Sequence, residues 1–286
     1  MPVEPPVHSP RSLDEAYLLL TDGGAAWRPM AGGTDLLAEI AGELGPPPDR
    51  VLDIWALDDL RGISLEGDEL VIGALTTYSD LRTSAVAGEL LPALVAASAT
   101  IGAAQIQNRG TVGGNLAHAS PAGDTLPILL ATDTAVVLGS AAGERSVPAS
   151  EFFTAYRQTA LRDDELVLRV RVPLLPRRHV RFRKVGTRRA QAISKVVMAV
   201  SWLTADDGTW NDTRVALGSV AAIPVRARAT EATLDGRQPV RDTAEAAVAA
   251  LEAEIKPIDD VRSTAEYRRL VAGRVLRRII REEGGW

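Results

Sequence analysis

Two glycine pairs, far apart along the chain, restrict the possible folds of this sequence more than any other feature. They lie in the segments Ala31-Gly32-Gly33-Thr34-Asp35 and Thr111-Val112-Gly113-Gly114-Asn115. Glycine has no Cβ and tolerates positive φ, so backbone N–H groups beside it can approach phosphate oxygens closely. Each pair also has hydroxyl, amide or carboxylate side chains next to it, and strand and helix signals on either side.

The spacing of these glycines excludes two common nucleotide-binding motifs. Neither segment is a G-x-G-x-x-G dinucleotide fingerprint or a Walker A phosphate loop. A single Gly-Gly-Thr sequence is typical of an ordinary turn. From the residues alone the turn stays an open alternative, and the pair of segments predicts binding of a phosphate or a nucleotide.

The amino-acid content excludes several classes of function. The 286 residues include no cysteine and only three histidines, at scattered positions, so we expect no cysteine nucleophile, no cysteine-ligated cluster and no metal site. The net charge of −5 provides no basic field for a nucleic acid. No long apolar run and no signal-peptide pattern is present, which predicts a cytoplasmic protein without a membrane span. Any redox chemistry then needs a bound organic cofactor.

Hydrophobic periodicity predicts three units along the chain. Residues 1–56 begin with a helix capped by Ser12 and continue as a small β-α-β unit. Residues 57–176 alternate short strands with alanine-rich helices, and a proline interrupts the helix expected over residues 84–101. Residues 177–286 follow a proline-rich linker and are expected to form an α+β domain.

The third unit is predicted to contain antiparallel strands followed by helices. A helix is expected over residues 243–255, and Ser263 is the predicted cap of the last helix. Trp202 and Trp210 are assigned to the core of this unit or to a hairpin within it. The expected strands cover residues 181–185, 195–203 and 213–220.

The two glycine segments resemble those of the FAD-binding, or medium, subunits of the molybdenum hydroxylases. This family includes carbon monoxide dehydrogenase and bacterial xanthine dehydrogenase. The likeness extends from Ala31 to Leu37, from Thr111 to Asp124, and from Lys184 to Val196, and it covers essentially the whole chain. It implies an α+β fold, with a two-subdomain FAD-binding domain of the vanillyl-alcohol-oxidase (PCMH) type followed by a C-terminal domain of antiparallel strands and helices.

The resemblance implies an extended FAD whose pyrophosphate lies on the two glycine segments. Asp124 would accept hydrogen bonds from cofactor hydroxyls. Ile101 and Val167 would pack beside the flavin, and Lys184 would place a positive charge near it, which favours the reduced, anionic form. No catalytic side chain and no metal ligand is implied. The implied cofactor-binding residues are Pro29, Met30, Ala31, Gly32, Gly33, Thr34, Asp35, Leu36, Ile101, Thr111, Val112, Gly113, Gly114, Asn115, Asp124, Val167 and Lys184.

The resemblance also implies partner subunits for this chain. One is an iron–sulfur subunit with two 2Fe–2S clusters, and another is a large subunit that holds a molybdopterin cofactor. Electrons would pass from molybdenum through the clusters to FAD, and then to an external acceptor. The absence of cysteine fits this division, because the clusters then belong to another subunit.

The external acceptor is less defined by the resemblance. Family members that reduce NAD⁺ tend to have acidic residues where this chain has Arg188-Arg189-Ala190-Gln191-Ala192. The absence of an acid in this segment puts NAD⁺ in doubt and leaves oxygen or a quinone open.

Two other functions stay open at this point. A free-standing flavoenzyme would oxidise a small molecule on the same scaffold, with His118 or Tyr156 as its base. A degenerate member without FAD would act as a binding or assembly module, although both glycine segments are intact. His118 itself is interpreted as a structural hydrogen-bonding residue.

Overall fold

Three β-sheets with helices packed around them form the framework of the chain, together with one short β-hairpin. The computed structural model describes residues 4–22, 24, 26–188 and 191–286. Within those ranges no helix is both long and apolar enough to cross a membrane. The sheets follow one another along the chain, so each is described in turn.

The first sheet has three parallel strands and contains the predicted β-α-β unit. Ser12 caps its first helix as predicted, because the hydroxyl accepts a hydrogen bond from the Glu15 N–H. A two-residue edge strand, which the sequence did not reveal, pairs in parallel with the last strand of the unit. The elements are β1 (Val7–His8), α1 (Leu13–Thr21), β2 (Trp27–Met30), α2 (Leu36–Ala41) and β3 (Arg50–Asp53).

The second sheet has five antiparallel strands in the order β4-β5-β10-β6-β7. Alternating buried and half-buried residues along β10 follow the predicted strand pattern. The strands are β4 (Ile63–Glu66), β5 (Glu69–Gly73), β6 (Ala135–Ser140), β7 (Gly143–Pro148) and β10 (Leu166–Pro173), and the hairpin between β7 and β10 is β8 (Phe153–Ala155) with β9 (Gln158–Thr159).

The helices of this region are short. The helix expected over residues 84–101 is divided at Leu91, because Pro92 occupies the first position of a new helix, where its missing N–H costs nothing. The first helix of the region, which starts at Tyr78, begins with a capping box of Thr77 and Asp80. The helices are α3 (Tyr78–Thr83), α4 (Ala85–Leu90), α5 (Pro92–Ser98), α6 (Ala104–Gln107), α7 (Val112–His118), α8 (Leu126–Ala131) and α9 (Ala149–Phe152).

The second glycine segment differs from the expected loop. Thr111 is the N-cap of α7, and its hydroxyl accepts a hydrogen bond from the Gly114 N–H. Gly113 and Gly114 therefore lie in the first turn of a helix. The glycines concealed this helix at the level of sequence, since glycine is a poor helix former.

The third sheet has four antiparallel strands, and three helices follow it. Its first strand begins at Arg178, three residues before the predicted start, because Val180 and Phe182 continue the alternation into the expected linker. The elements are β11 (Arg178–Val185), β12 (Val196–Thr204), β13 (Trp210–Gly218), β14 (Val225–Arg226), α10 (Arg228–Leu234), α11 (Arg241–Glu254) and α12 (Ala265–Gly284).

Two predictions for this third unit have different outcomes. The indole rings of Trp202 and Trp210 stack with centroids 4.2 Å apart and are buried, which confirms their place in the core. The predicted cap of α12 at Ser263 is wrong by one residue. The Ser263 N–H is bonded to Asp260 in the preceding turn, and the hydroxyl of Thr264 accepts the Tyr267 N–H instead.

Helix α8 joins the second and third sheets. All six of its residues are buried, from Leu126 to Ala131, and it packs on β12 and β13. Ser201 on β12 donates a hydrogen bond of 2.5 Å to the Ala131 carbonyl. One apolar core thus extends from the five-stranded sheet through α8 into the four-stranded sheet.

Candidate functional site

A large cavity lies where the three sheets meet. Its volume is about 1070 Å³, which exceeds that of most small-molecule pockets. The first sheet contributes residues 28–36, and the second unit contributes residues 101–124 in part and the hairpin tip at Tyr156 and Arg157. The C-terminal unit supplies Lys184 and further residues. The cavity is therefore an interface between units, where a long ligand can contact all of them.

The structure brings together sixteen of the seventeen predicted site residues around this cavity. Val112 is the exception: it is buried in the core, because the first turn of α7 directs it away from the cavity. The predicted residues that line the cavity are Pro29, Met30, Ala31, Gly32, Gly33, Thr34, Asp35, Leu36, Ile101, Thr111, Gly113, Gly114, Asn115, Asp124, Val167 and Lys184.

The two glycine segments touch at Gly32. A Cβ added at Gly32 would overlap the backbone carbonyl of Arg109, which lies just before the second segment. The following residue, Gly33, has a φ of +75°, a conformation that other residues rarely adopt. Only glycine therefore allows both the approach and the turn at this point.

The first segment presents a row of unpaired backbone N–H groups. Among the described residues, no acceptor forms a hydrogen bond with any of the six amides from Ala31 to Leu36. The first amide after the row, that of Leu37, donates to the Gly33 carbonyl at 3.1 Å. Unpaired N–H groups beside a cavity are a natural binding surface for an anion.

Four of the five amides of the second segment, those from Val112 to Asn115, are already occupied. The Val112 N–H donates to Thr76 at 3.1 Å, and the Gly113 N–H donates to the carbonyl of Ala74 at 2.8 Å. The next two amides donate to Thr111, one to its hydroxyl and one to its carbonyl, both at 3.0 Å. The second segment thus forms a surface that a ligand can approach closely, while the first segment offers the free donors.

Polar side chains of α7 complete this end of the cavity. The amide oxygen of Asn115 accepts a hydrogen bond of 2.7 Å from the Thr125 hydroxyl. His118 lies at the last turn of α7, with its Nδ1 atom 3.5 Å from a carboxylate oxygen of Asp35. His118 thereby links the helix to the first glycine segment, in agreement with a structural role.

Asp124 and Lys184 form a buried ion pair at the cavity wall. Lys184 Nζ lies 2.6 Å from Asp124 Oδ2 and donates a second hydrogen bond of 3.0 Å to the carbonyl of Thr100. The other carboxylate oxygen, Asp124 Oδ1, is buried and has no hydrogen-bond partner in the part of the chain that the structure describes. A buried acceptor without a partner is costly, so this oxygen is suited to a donor supplied by a ligand.

Burial also controls the protonation of two groups here. It raises the pKa of Asp124 above its ordinary value, and the charge and hydrogen bond of Lys184, with the nearby Ser194 hydroxyl, oppose that rise only in part. Burial likewise raises the pKa of the Tyr78 phenol, and the nearby carboxylates of Asp124 and Asp35 raise it further. Tyr78 therefore stays neutral in the floor of the cavity.

Part of the cavity wall is apolar. Ile101 and Val167 both line the cavity, together with Leu161. The loop before β10 is held by Arg145, which bonds the carboxylate of Glu165 at 2.5 and 2.7 Å and the carbonyl of Ala160 at 2.7 Å. This side chain fixes the wall against which a flat ring system can pack.

The sequence did not identify the wall that the C-terminal unit supplies. Ser194 and Ser219 line the cavity and are hydrogen-bonded to each other at 3.0 Å. Arg268 on α12 is buried and bonds the carbonyls of Lys195 and Ser219. Ser194 falls within the stretch whose resemblance was noted, so that signal was available, whereas nothing in the sequence pattern marked Arg268.

This arrangement fits a flavin dinucleotide. Six free amides and a glycine surface suit a pyrophosphate, the Asp124 oxygen suits a sugar or ribityl hydroxyl, and the apolar part of the wall suits a ring system. No cluster of side chains suited to a metal occurs among the described residues. Fold and cavity together are those of a dinucleotide-binding protein in which two separate glycine segments line the ligand cavity.

Comparison with known proteins identifies the family. Residues 2–175 match the family model described as the FAD binding domain in molybdopterin dehydrogenase, and residues 181–283 match the CO dehydrogenase flavoprotein C-terminal domain. The carbon monoxide dehydrogenase medium chain of Hydrogenophaga pseudoflava is 32% identical over 277 residues, covering 96% of this chain and 94% of that one. The xanthine dehydrogenase FAD-binding subunit of Escherichia coli is 31% identical, with 96% and 94% covered.

The solved structures agree with this result. A solved structure of carbon monoxide dehydrogenase from Hydrogenophaga pseudoflava superposes with a TM-score of 0.92 at 33% identity, covering 97% of this chain and 96% of that one. The chain belongs to the FAD-binding medium subunits of the carbon monoxide and xanthine dehydrogenase family of molybdenum hydroxylases. It is an FAD-binding oxidoreductase subunit, and the predicted family, fold class and cofactor are confirmed.

The contact between the glycine segments leads to a prediction for Gly32→Ala. The new methyl group would overlap the Arg109 backbone carbonyl. Because no side-chain rotation can relieve an overlap with backbone atoms, the first segment would be displaced. We expect FAD affinity to fall at least about 30-fold, equivalent to about 2 kcal/mol. Fluorescence titration of the FAD-free chain with FAD measures this loss.

Gly88→Ala is the matched control. Gly88 lies in α4, and a Cβ there meets no atom within 4 Å, so this variant should keep the parent affinity. Parent-like FAD binding by Gly32→Ala would show that the two segments need not touch.

Proposed function

We propose that the first glycine segment holds the FAD pyrophosphate through its backbone amides. The proposal is supported by the row of unpaired N–H groups from Ala31 to Leu36, which belong to residues that line a cavity of suitable size. The second segment then provides the close surface beside the phosphates through Gly113 and Gly114, since its amides from Val112 to Asn115 are occupied. Asn115 and Thr111 flank the same surface.

We further propose that Asp124 and Lys184 act together on the bound cofactor. Asp124 accepts a hydroxyl hydrogen bond at its unpaired oxygen, while its other oxygen keeps Lys184 in place. Lys184 contributes a fixed positive charge within a wall that excludes water. Bound FAD supplies the reversible acceptance and release of electrons, a chemistry that no side chain of this chain provides.

The role that fits these features best is that of an electron-transfer subunit. We propose that the chain accepts electrons from two 2Fe–2S clusters of a partner subunit, in a complex that also has a molybdopterin-containing large subunit, and passes them to an external acceptor. Family membership supports this proposal. The absence of cysteine from all 286 residues also supports it, because the clusters must then be held elsewhere.

Oxygen or a quinone is favoured over NAD⁺ as the acceptor. The motivating segment, residues 188–192, has no acidic side chain. Arg189 and Ala190 lie outside the described residues, so this part of the proposal rests on the sequence alone.

The buried pair predicts a pH dependence of FAD binding. Because FAD would bind the ionised form of Asp124, affinity should decrease as the pH falls through the raised pKa of this carboxyl. The folding stability of the FAD-free chain should depend on pH in the opposite direction. The fold favours the protonated form of Asp124, so this contribution to the free energy of unfolding is lost as the pH rises through that pKa.

Asp124→Asn should weaken FAD binding about 30-fold at neutral pH, or about 2 kcal/mol, and should remove the pH dependence. Titrations with FAD at a series of pH values test both effects. Asp59→Asn, at an exposed position, is the control and should retain the parent profile. Equal pH profiles for the parent and Asp124→Asn would contradict the assignment of Asp124.

Electron transfer can be tested with the isolated partners. When the reduced iron–sulfur subunit is mixed anaerobically with the FAD-loaded chain, we expect the visible flavin absorbance to bleach. Addition of oxygen or a soluble quinone should restore it. Absence of bleaching in a complex that demonstrably forms would refute the electron-transfer role.

The FAD-loaded chain also distinguishes the electron-transfer role from the alternative of a free-standing flavoenzyme. It requires oxidation of an organic substrate by the FAD-loaded chain alone. His118 and Tyr156, its candidate bases, both line the cavity, but His118 is joined to Asp35 and Tyr156 is largely exposed at the hairpin tip. We therefore expect no such activity without partner subunits.

A further inference from the structure

Arg109 contacts Gly32 in two ways. Its backbone carbonyl is the surface against which the Cα of Gly32 packs, and its side-chain Nε donates a hydrogen bond of 3.3 Å to the Gly32 carbonyl. Arg109 does not line the cavity itself. It lies behind the first glycine segment, where it determines the position of the backbone that carries the unpaired amides.

The guanidinium of Arg109 is itself held by an aromatic ring. Its central carbon lies 3.8 Å from the centroid of the Trp55 ring, and that of Arg61 lies 4.4 Å from the same centroid. Two guanidinium groups repel each other, but the negative face of an indole ring attracts both. Tryptophan is the side chain best suited to this arrangement.

The backbone N–H and the backbone carbonyl of Trp55 are both hydrogen-bonded. Its N–H donates to Asp53 at 3.0 Å, and its carbonyl accepts a 2.6 Å hydrogen bond from Arg61. Arg61 also donates to the carbonyl of Leu75, a residue that lines the cavity. The ring therefore connects the end of the first sheet, the start of the second sheet and the chain before α7.

We propose that Trp55 is a positioning residue for the FAD pyrophosphate, and that it acts through Arg109. The ring holds the guanidinium in the orientation that fixes Gly32, and Gly32 fixes the row of amides from Ala31 to Leu36. This inference rests on the proposed role of those amides in holding FAD. Trp55 does not touch the cavity, so its effect on binding is indirect.

The test is a double-mutant cycle on FAD affinity. Trp55→Leu removes the aromatic face, and Arg109→Met removes the charge and the Nε donor but keeps the backbone carbonyl. Each single variant should weaken FAD binding about fivefold, the range expected for a cation–π contact at an exposed arginine. The double variant should also lose about fivefold in FAD affinity and no more, because both changes remove the same contact between Trp55 and Arg109.

Two further variants separate positioning from general damage to the fold. Trp55→Phe retains an aromatic face and should recover most of the parent affinity. Trp286→Leu removes another ring that lies near an arginine, 5.5 Å from Arg241, but far from the glycine segments, and should bind FAD as the parent does. Thermal unfolding of the FAD-free proteins identifies any variant that loses affinity only because it unfolds.

The outcomes distinguish this inference from the function on which it rests. A parent chain that takes up no FAD would overturn the proposed function, and the inference with it. A parent that binds FAD, with Trp55→Leu binding equally well or with the two losses multiplying to about 25-fold in the double variant, would overturn the positioning role alone.

Discussion

The contact between Gly32 and the Arg109 carbonyl is the constraint on which the rest of the site depends. It brings two segments that are distant in sequence into van der Waals contact, and it leaves no room for a Cβ. Once the segments meet, the residues from Ala31 to Leu36, whose amides are free, line the cavity beside α7. The opposite wall, with Asp124 and Lys184, is brought into place by α8, whose buried residues join the second and third sheets.

The two glycine segments look alike in sequence but differ in what they can do. In the second segment, Thr111 caps a helix, and the amides from Val112 to Asn115 have partners within the protein. In the first segment, the amides from Ala31 to Leu36 have no partner among the described residues, and the last of them lead into the first turn of α2, where a helix leaves its N–H groups without internal partners. Free donors and close approach thus come from different segments. The chain supplies binding and charge, and the redox chemistry belongs to the cofactor.

Local patterns predicted much of the fold and of the site. The helix cap at Ser12, the helix start at Pro92 and the strand β10 were predicted correctly because each depends on residues close together in the sequence. The glycine pairs, Asp124 and Lys184 identified much of the cavity lining. Long-range features were missed. The burial of Val112 depends on the helix that Thr111 caps, and Arg268 reaches the cavity wall only through the packing of α12. The division of the chain after residues 56 and 176 stays a prediction.

Amide hydrogen exchange with and without FAD tests the central claim most directly. If the unpaired amides of the first segment hold the pyrophosphate, FAD should slow exchange strongly at residues 31–36. Exchange at residues 112–115 should change little, because those amides are already hydrogen-bonded. Protection at residues 112–115 with none at residues 31–36 would contradict the account.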